Sequence, residues 1–265
     1  MFIRILCFLL ISLSLFGSYT SEFYHSFDQK KSEQWPSLLE IGEKALEEHS
    51  DPKIHARLAS LYFYLGKYEE MKKHIDACIT ESLDDESQEL LIRSLYLLSA
   101  YHRINKNYAS AQHVIQKALT KARAYNQPCL LAKVLFNAGA AEADDPKGDC
   151  ELAQKYYEEA LTYFSPDSDD AHRVLIRLGR IYFLKKEFYK LNPLLSNLSQ
   201  TNLSPRTCVH FYYLSAQVAL AKGMIEEAEK WIEKGLHLAK KMEMTKDYER
   251  LESLKEEHPL SKSFS

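Results

Sequence analysis

The chain has 265 residues, of which 46% are apolar and 27% are charged, and its formal net charge at pH 7 is −3. This composition is sufficient for a packed core, and it excludes both a disordered chain and a bundle of membrane helices. The small negative charge also gives no indication of a domain built as a whole to bind a polyanion.

The first 20 residues predict an export signal peptide. Arg4 provides a positive start, residues 5–16 form an apolar or weakly polar run, and small residues follow in 17–21. The run is shorter than the roughly 18 apolar residues that suggest a membrane-spanning helix, so cleavage is favoured over a permanent anchor. We therefore expect a periplasmic or secreted protein, with anchoring by residues 1–20 as the alternative.

Residues 21–34 are polar with scattered aromatic side chains, and we interpret them as a linker. Trp35-Pro36 then predicts a helix start, because proline lacks an N–H that the first helical turn does not need. The apolar stripe that follows, within 35–50, is typical of a capping helix.

The stretch from Leu58 to Cys78 predicts a helical hairpin. A first helix ends at Gly66, and its apolar face is followed by a second stripe with apolar residues three or four positions apart. The first face contains Leu58, Ala59 and Tyr62, and the second contains Tyr68, Met71, Ile75 and Cys78.

This hairpin pattern recurs along the chain. Helix starts of the capping-residue-plus-proline type stand at Asp51-Pro52, Gln127-Pro128, Ser165-Pro166 and Ser204-Pro205. Their nearly constant spacing indicates a repeat. Repeats are predicted near 52–84, 85–126, 127–164, 165–203 and 204–243, followed by a charged capping helix at 245–258 and a polar tail at 259–265.

Each predicted first helix has a small residue at one equivalent position, where a larger side chain would hold the paired helices apart. These residues are Ala59, Ser99, Gly139, Gly179 and Ala216. In the fourth repeat, Leu191 and Leu198 take the small sites of the second helix. Pro193 lies between them, so we expect that helix to be kinked or shortened.

The pattern of Leu58, Ala59, Tyr62, Gly66 and Tyr68, with its recurrence, resembles the tetratricopeptide (TPR) repeat. The resemblance covers residues 35–258. It implies an all-α, right-handed superhelical solenoid of about five helical hairpins with capping helices, whose first helices line a concave groove that holds another chain. It implies no enzymatic activity.

Motifs for catalysis or metal binding are missing from the sequence. The ten histidines form no H-E-x2-H pattern, and the acidic stretches at 144–149 and 167–170 do not match a calcium-binding loop, so we interpret those as helix caps. We expect a non-enzymatic protein with no metal and no cofactor. Cys78, Cys129, Cys150 and Cys208 form no C-x2-C pair, and buried free thiols are favoured over disulfides.

In the TPR family, first-helix residues off the core stripe line the groove, and here they are basic and aromatic. Carried over residue by residue, they are Lys53, Arg57, Phe63, Arg93, Tyr96, Arg103, Lys133, Phe136, Asn137, Arg173, Arg177, Arg180, Phe183, His210 and Tyr213, with Ser60, Ala140, Ile176 and Gln217 beside them. The set holds eight lysines and arginines and no acidic residue. It predicts a groove that prefers an acidic peptide or protein segment; the alternative is a basic helix face balanced by acidic second helices.

These features together predict an exported TPR scaffold that binds a protein or peptide partner and no nucleic acid. One alternative is a cytoplasmic or membrane-anchored TPR regulator, secretion chaperone or adaptor. Another is an enzyme with an unrecognised site in the groove. The spacing of Lys53 and Arg57, repeated by Arg173 and Arg177, resembles part of a carboxylate clamp, but the remaining clamp residues are missing, so the clamp's chaperone-tail ligand is not transferred.

Overall fold

The computed structural model describes residues 18–28, 34–81 and 88–257, and the regular elements in these ranges are all α-helices. Residues 1–17 of the predicted signal and the predicted tail at 259–265 lie outside the described residues. The helices are α1 (Tyr19–Asp28), α2 (Trp35–Glu48), α3 (Pro52–Tyr64), α4 (Tyr68–Glu81), α5 (Gln88–Ile104), α6 (Tyr108–Tyr125), α7 (Pro128–Asp144), α8 (Cys150–Leu161), α9 (Asp169–Leu184), α10 (Phe188–Ser199), α11 (Pro205–Ala221), α12 (Ile225–Lys241) and α13 (Thr245–Glu257).

The helices form the predicted pairs of first and second helices: α3 with α4, α5 with α6, α7 with α8, α9 with α10, and α11 with α12. The predicted all-α repeat class is therefore confirmed. The chain divides into two compact units, residues 1–94 and 95–265, and the boundary falls inside α5. Among the helices described, none combines the length and the apolar character needed to cross a bilayer.

Side-chain caps explain where several first helices begin. The Asp51 carboxylate accepts a hydrogen bond from the Lys53 N–H at 2.7 Å, and Ser204 Oγ accepts one from the Thr207 N–H at 3.3 Å. The predicted start at Ser165-Pro166 is wrong by three residues. Ser168 is the cap of α9, and its hydroxyl donates back to the Ser165 carbonyl at 2.7 Å, so the Ser165-Pro166 dipeptide forms a turn before the helix.

Close packing accounts for the small residues of the first helices. A Cβ at Gly139 would lie 2.6 Å from Cε1 of Tyr157, and one at Gly179 would lie 2.9 Å from Cδ2 of Leu214. Ser99 is small enough for the helices to pack closely. Its hydroxyl also donates a hydrogen bond to the Ala111 carbonyl on the paired helix at 2.8 Å. A larger residue at these positions would overfill the contact between helices.

Helix α10 accommodates Pro193 in its interior and runs on to Ser199. Helices α8 and α10 both have 12 residues, and α8 contains no proline. The length of α10 is therefore not explained by Pro193 alone. Leu191 and Leu198 are fully or almost fully buried in a cluster with the apolar side of α11, and the two large side chains at small sites are thereby accommodated.

Residues 21–28, predicted as part of a linker, belong instead to helix α1. Phe23 is completely buried, and a Cβ at Gly42 would lie 2.7 Å from its ring. The hydroxyl of Tyr24 donates to Asp51 at 2.6 Å. The helix was missed because Phe23, Tyr24 and Phe27 make only one helical turn of apolar surface, which looks like scattered aromatics in the sequence.

The four cysteines Cys78, Cys129, Cys150 and Cys208 are free thiols. Only Cys78 is buried; Cys129 is exposed, and the other two are partly exposed. The expectation of free thiols agrees with this arrangement, whereas the expectation that they are buried applies to Cys78 alone.

Candidate functional site

A pocket in the second unit is bordered by α7, α9, α11 and α13 and contains four arginines; we call it the arginine pocket. Its cavity volume is about 70 Å³, which has room for a side chain or a few water molecules but not for a folded domain. It is lined by Phe136, Arg173, Ile176, Arg177, Arg180, Val209, His210, Tyr213, Leu214, Gln217, Asp247 and Arg250.

Helix α9 supplies three of the arginines. Arg173, Arg177 and Arg180 follow one another at i, i+4 and i+7, so their side chains share one face of the helix. The apolar residues between them, Val174 and Leu178, are buried on the other side. Burial of that apolar side fixes the helix rotation and turns the three guanidinium groups towards the pocket.

Asp144, the last residue of α7, is the centre of the charge network beside the pocket. Its Oδ1 accepts hydrogen bonds from Nη1 of Arg177 and from Nη1 of Arg180, each at 3.0 Å, and its Oδ2 pairs with Arg103. Only 18% of the Asp144 side chain is exposed. Burial alone would raise the pKa of this carboxyl, but the charges of Arg177, Arg103 and Arg180 outweigh burial and hold the pKa well below its usual range.

Arg173 is held by two neighbours. Its Nη1 donates to Asp170 at 3.3 Å, and its guanidinium lies 4.9 Å from the centre of the Phe136 ring, within cation–π range. Lys133 Nζ lies 3.9 Å from the same Asp170 carboxylate. The Phe136 ring in turn lies 5.9 Å from the ring of Tyr157, which is fully buried.

The capping helix α13 forms the remaining wall. Asp247 Oδ1 lies 3.4 Å from His210 Nε2 and 3.7 Å from Arg250 Nη1, and the Arg250 guanidinium lies 4.6 Å from the centre of the Tyr213 ring. Burial opposes ionisation of Asp247, but its hydrogen bond with His210 and nearby positive charges lower its pKa to about 2. Burial lowers the pKa of His210, although Asp247 opposes that shift.

The arrangement leaves hydrogen-bond donors for a ligand. Among the described residues, Arg177 and Arg180 donate to Asp144 through Nη1 alone, so Nε and Nη2 of both groups have no protein acceptor there. Each lining arginine is also positioned by a carboxylate or an aromatic ring. A ligand anion would therefore meet guanidinium groups that are already ordered.

Six of the fifteen predicted groove residues line the pocket: Phe136, Arg173, Arg177, Arg180, His210 and Tyr213. Arg103 and Lys133 lie outside the lining and contact aspartates that the pocket arginines share. Phe183 instead packs against the apolar cluster around Leu191. Asn137 donates to its own helix, at the Lys133 carbonyl, with a length of 2.9 Å.

Tyr96, which the sequence predicts as a groove residue, is largely buried, with 9% of it exposed. It shares the buried side of α5 with Ile92, Leu97 and Ala100, because the apolar stripe of this helix is wider than the repeat pattern suggests. Tyr96 therefore contributes to the buried core of this helix.

The predicted residues of the first unit have different surroundings. Arg57 lies 4.3 Å from the Tyr24 ring centre and 5.1 Å from that of Phe27, both on α1. Phe63 lies 6.3 Å from the ring of Tyr68, measured between ring centres. Arg93 pairs with Glu89 at 2.6 Å, and Lys53 is exposed near the start of α3.

Sequence reasoning missed the acidic residues of the site. The sequence predicts that Asp144 is part of a helix-capping loop, but the cap of α8 is Asp149, which accepts a hydrogen bond from the Glu151 N–H at 2.8 Å. Asp144 follows Asn137 and Ala140 at i+7 and i+4, so extending the groove face by one turn would have found it. Asp247 and Arg250 lie on a capping helix outside the repeats, where no repeat position could indicate them.

Within the described ranges, no group of three or more histidine, cysteine, aspartate or glutamate side chains is placed to hold a metal ion. The arginine pocket presents guanidinium donors for charge-assisted hydrogen bonds beside aromatic rings. Donors of this kind are suited to an anion.

Helix pairs that recur along the chain define a helical-repeat protein. The tetratricopeptide repeat family matches residues 52–85, which cover α3 and α4, and residues 209–242, which lie in α11 and α12. Two segments of the chain thus match the tetratricopeptide repeat, as the sequence resemblance predicted. A comparison of the sequence with curated proteins gives no match.

Several solved structures share this fold. A Rap protein complexed with competence and sporulation factor has a TM-score of 0.62 at 13% identity, over 90% of this chain and 74% of that one. The apo form of the quorum sensor NprR from B. thuringiensis has a TM-score of 0.59 at 16% identity, over 98% of this chain and 77% of that one. The Rap conjugation gene regulator of plasmid pLS20, in complex with the Phr* peptide, has a TM-score of 0.57 at 13% identity, over 86% of this chain and 73% of that one. At these identities the likeness is one of fold.

Proposed function

We propose that this protein is a non-enzymatic scaffold that binds an acidic segment of a peptide or protein partner in the arginine pocket. The observation that carries the proposal is the set of three α9 arginines beside the rings of Phe136 and Tyr213, since Arg177 and Arg180 keep donors for a ligand. Guanidinium groups bind carboxylates through paired hydrogen bonds, and neighbouring rings hold the apolar part of the same segment.

The size and order of the site support a short segment as its ligand. A cavity of about 70 Å³ accepts one side chain or a chain terminus. Arginine side chains lose much rotamer freedom when they bind, and the contacts with Asp144, Asp170 and Phe136 remove part of that loss before the ligand arrives.

Proteins of similar fold point to the same class of partner. One Rap structure contains competence and sporulation factor, and another contains the Phr* peptide. These ligands belong to those proteins, and the likeness supports a peptide or protein partner here without identifying it.

We further propose that the scaffold works outside the cytoplasm. This proposal rests on Arg4 and the apolar run at 5–16, which have the order of a signal peptide. Edman sequencing of the native protein, combined with cell fractionation, tests it. A mature chain that begins near residue 20 in an extracytoplasmic fraction is expected; an intact Met1 in the cytosol would contradict export.

The second candidate is a peptide-responsive regulator or adaptor in the cytoplasm. It is favoured by the likeness in fold to a quorum sensor and a conjugation gene regulator. The same fractionation separates the two candidates, since the regulator requires an uncleaved chain inside the cell or at its membrane.

The binding proposal is tested by reversing the charge of the α9 arginines. Arg173, Arg177 and Arg180 are changed together to Glu, and the matched control changes the exposed Lys222, Lys230 and Lys240, also in the second unit, to Glu. The variants have equal net charge, so non-specific electrostatic effects on binding are similar.

Binding of fluorescein-labelled acidic peptides, measured by anisotropy, should weaken by about 2 kcal/mol or more in the arginine variant and by well under 1 kcal/mol in the lysine control. Circular dichroism checks that both variants keep their helices. Equal affinities in the two folded variants would place the binding surface outside this pocket, for instance on the second helices.

A further inference from the structure

Asp144 occupies an unusual place for a carboxylate in an anion-binding site. It contacts two arginines that line the pocket, Arg177 and Arg180, and on its other side it contacts Arg103, which does not line the pocket. A group that neutralises arginines from behind would reduce their attraction for a ligand, and it would also hold them in place.

The distance from Asp144 to a bound ligand follows from guanidinium geometry. Nη1 of Arg177 donates a hydrogen bond to Asp144 at 3.0 Å. An anion bound to the opposite edge of the Arg177 guanidinium would therefore lie on the order of 6 Å from the carboxylate. At that separation, with an effective dielectric constant of about 40, one unit charge changes the affinity of a singly charged ligand about tenfold. The effect on a doubly charged ligand is about a hundredfold, because Coulomb energy is proportional to ligand charge.

The negative charge of Asp144 is permanent at ordinary pH. Three arginines surround the carboxylate, and they keep it ionised far below neutrality. The repulsion between Asp144 and a ligand is therefore always present, and protonation cannot relieve it at neutral pH.

Asp144 also holds the two arginines together. Without its charge, the guanidinium groups of Arg177 and Arg180 would face each other and Arg103 with no carboxylate between them, and like charges this close repel. The exposed fraction of the Arg180 side chain is 36%, so this group has room to turn towards solvent.

We propose that Asp144 shifts the charge preference of the arginine pocket away from a doubly charged phosphate or sulfate group and towards a singly charged carboxylate. This inference rests on the proposed function, and it adds the kind of anion that the pocket takes. The carboxylate can be a peptide C terminus or an acidic side chain, since both present the same group.

The experiment compares acetate with sulfate as probes of the full chain. Arginine Nε–Hε signals of the ¹⁵N-labelled protein are followed by NMR at constant ionic strength, for the wild type, Asp144→Asn, Arg103→Gln and the matched control Asp170→Asn. Asp170 also contacts a pocket arginine, but it contacts Arg173 and is more exposed than Asp144, so its removal should change the preference less.

Asp144→Asn should shift the ratio of the sulfate to the acetate affinity about tenfold towards sulfate, and Asp170→Asn less than threefold. Arg103→Gln should shift the ratio towards acetate, because Asp144 then repels the ligand with less compensation. A role in folding alone would not move this ratio in opposite directions. The Arg103 variant also keeps the proposal testable if Asp144→Asn loses its helices.

To distinguish the sources of the carboxylate, one peptide is compared with a free and an amidated C terminus, and with Glu and Gln at its acidic position. Loss of wild-type binding on amidation identifies the terminus, and loss on Glu→Gln identifies the side chain. If acetate and both peptides leave the wild-type arginine signals unchanged, the proposed function itself fails. If they bind but the ratio stays the same in Asp144→Asn and Arg103→Gln, only the role of Asp144 is overturned.

Discussion

Arg57 in the first unit and Arg177 in the second occupy the same repeat position, two residues before the small residue of a first helix. Arg57 lies against the rings of Tyr24 and Phe27 of α1, whereas Arg177 lines a pocket and is held by Asp144. The repeat pattern places the two arginines alike. Their surroundings differ because α1, which lies outside the repeats, covers Arg57, whereas Asp144 at the end of α7 orders Arg177.

The comparison indicates which part of the chain is suited to recognition. In the first unit, aromatic side chains of the same chain take the place beside the arginine that a ligand could fill. In the second unit, that place is a cavity with aromatic walls. We therefore propose the second unit as the part of the chain that binds a partner, and the following variants test the difference between the two units.

The largest expected effect is the loss of the α1 contact. Phe23→Ala removes a fully buried ring and should lower the free energy of unfolding of the first unit by about 3–5 kcal/mol. Urea unfolding is followed by fluorescence of Trp35 in a Trp231→Phe background, so that only the first unit is reported. Tyr19→Ala is the control, because 40% of Tyr19 is exposed; equal midpoints for the two variants would show that α1 does not stabilise this unit.

Charge reversal at the matched arginines tests the contrast in binding. Arg177→Glu should weaken the binding of an acidic peptide by about 2 kcal/mol, because the lost contact is partly desolvated. Arg57→Glu should change it by less than about 0.5 kcal/mol. Isothermal titration at two salt concentrations measures both, and a larger loss for Arg57 would move the site to the first unit.

A fall in pH should lower the stability of the second unit through protonation of Asp144 and Asp247. Both have a pKa in the folded chain below the unfolded value of about 3.9, so their contribution is present above that pH and is lost as pH falls through the folded pKa. For Asp247, whose pKa is about 2, this amounts to about 2 kcal/mol, lost between roughly pH 4 and pH 2.

Fluorescence of Trp231 in a Trp35→Phe background should report this loss during urea unfolding at a series of pH values. Asp247→Asn should remove part of the pH dependence. If the stability of the second unit stays constant as the pH is lowered beneath 4, the charge contacts described for these two carboxylates are contradicted.

The stability of the first unit should change with pH in a higher range than that of the second unit. His74 has its pKa lowered by burial and by His55 and Lys73, against the opposing charge of Glu43. A histidine whose pKa is lower in the folded chain contributes stability above its unfolded pKa of about 6.5, and this is lost as pH falls through the folded value. Trp35 fluorescence should show a decline below pH 6.5 that His74→Gln reduces; an unchanged decline would assign it to another group.

The smallest effect is expected at a surface ion pair. Arg123 Nη2 lies 3.0 Å from Glu159, but half of the Arg123 side chain is exposed. Glu159→Gln should change the stability of the second unit by less than about 0.5 kcal/mol, whereas Asp144→Asn should cost more. Equal effects would mean that the Asp144 cluster is no better ordered than the surface.

The sequence predicts the repeat helices well because their signals are local. Apolar periodicity and caps such as Asp51 and Ser204 mark their positions, although Ser165 was mistaken for the cap that Ser168 provides. It predicts half of the site, since Arg173, Arg177 and Arg180 share a face by spacing alone. It does not predict Asp144, Asp247 or the covering of Arg57, because these depend on contacts between helices that are far apart in the sequence.

Selection of random peptides on the full chain measures whether the arginine pocket recognises acidic partners. Peptides with free and amidated C termini are selected on the wild type, on the Arg173, Arg177 and Arg180 triple Glu variant, and on the control that changes Lys222, Lys230 and Lys240. We expect enrichment of acidic residues or free C termini on the wild type and on the lysine control, and its loss on the arginine variant. Enrichment of neutral or basic peptides, or an acidic preference that survives in the folded arginine variant, would contradict recognition by the arginine pocket.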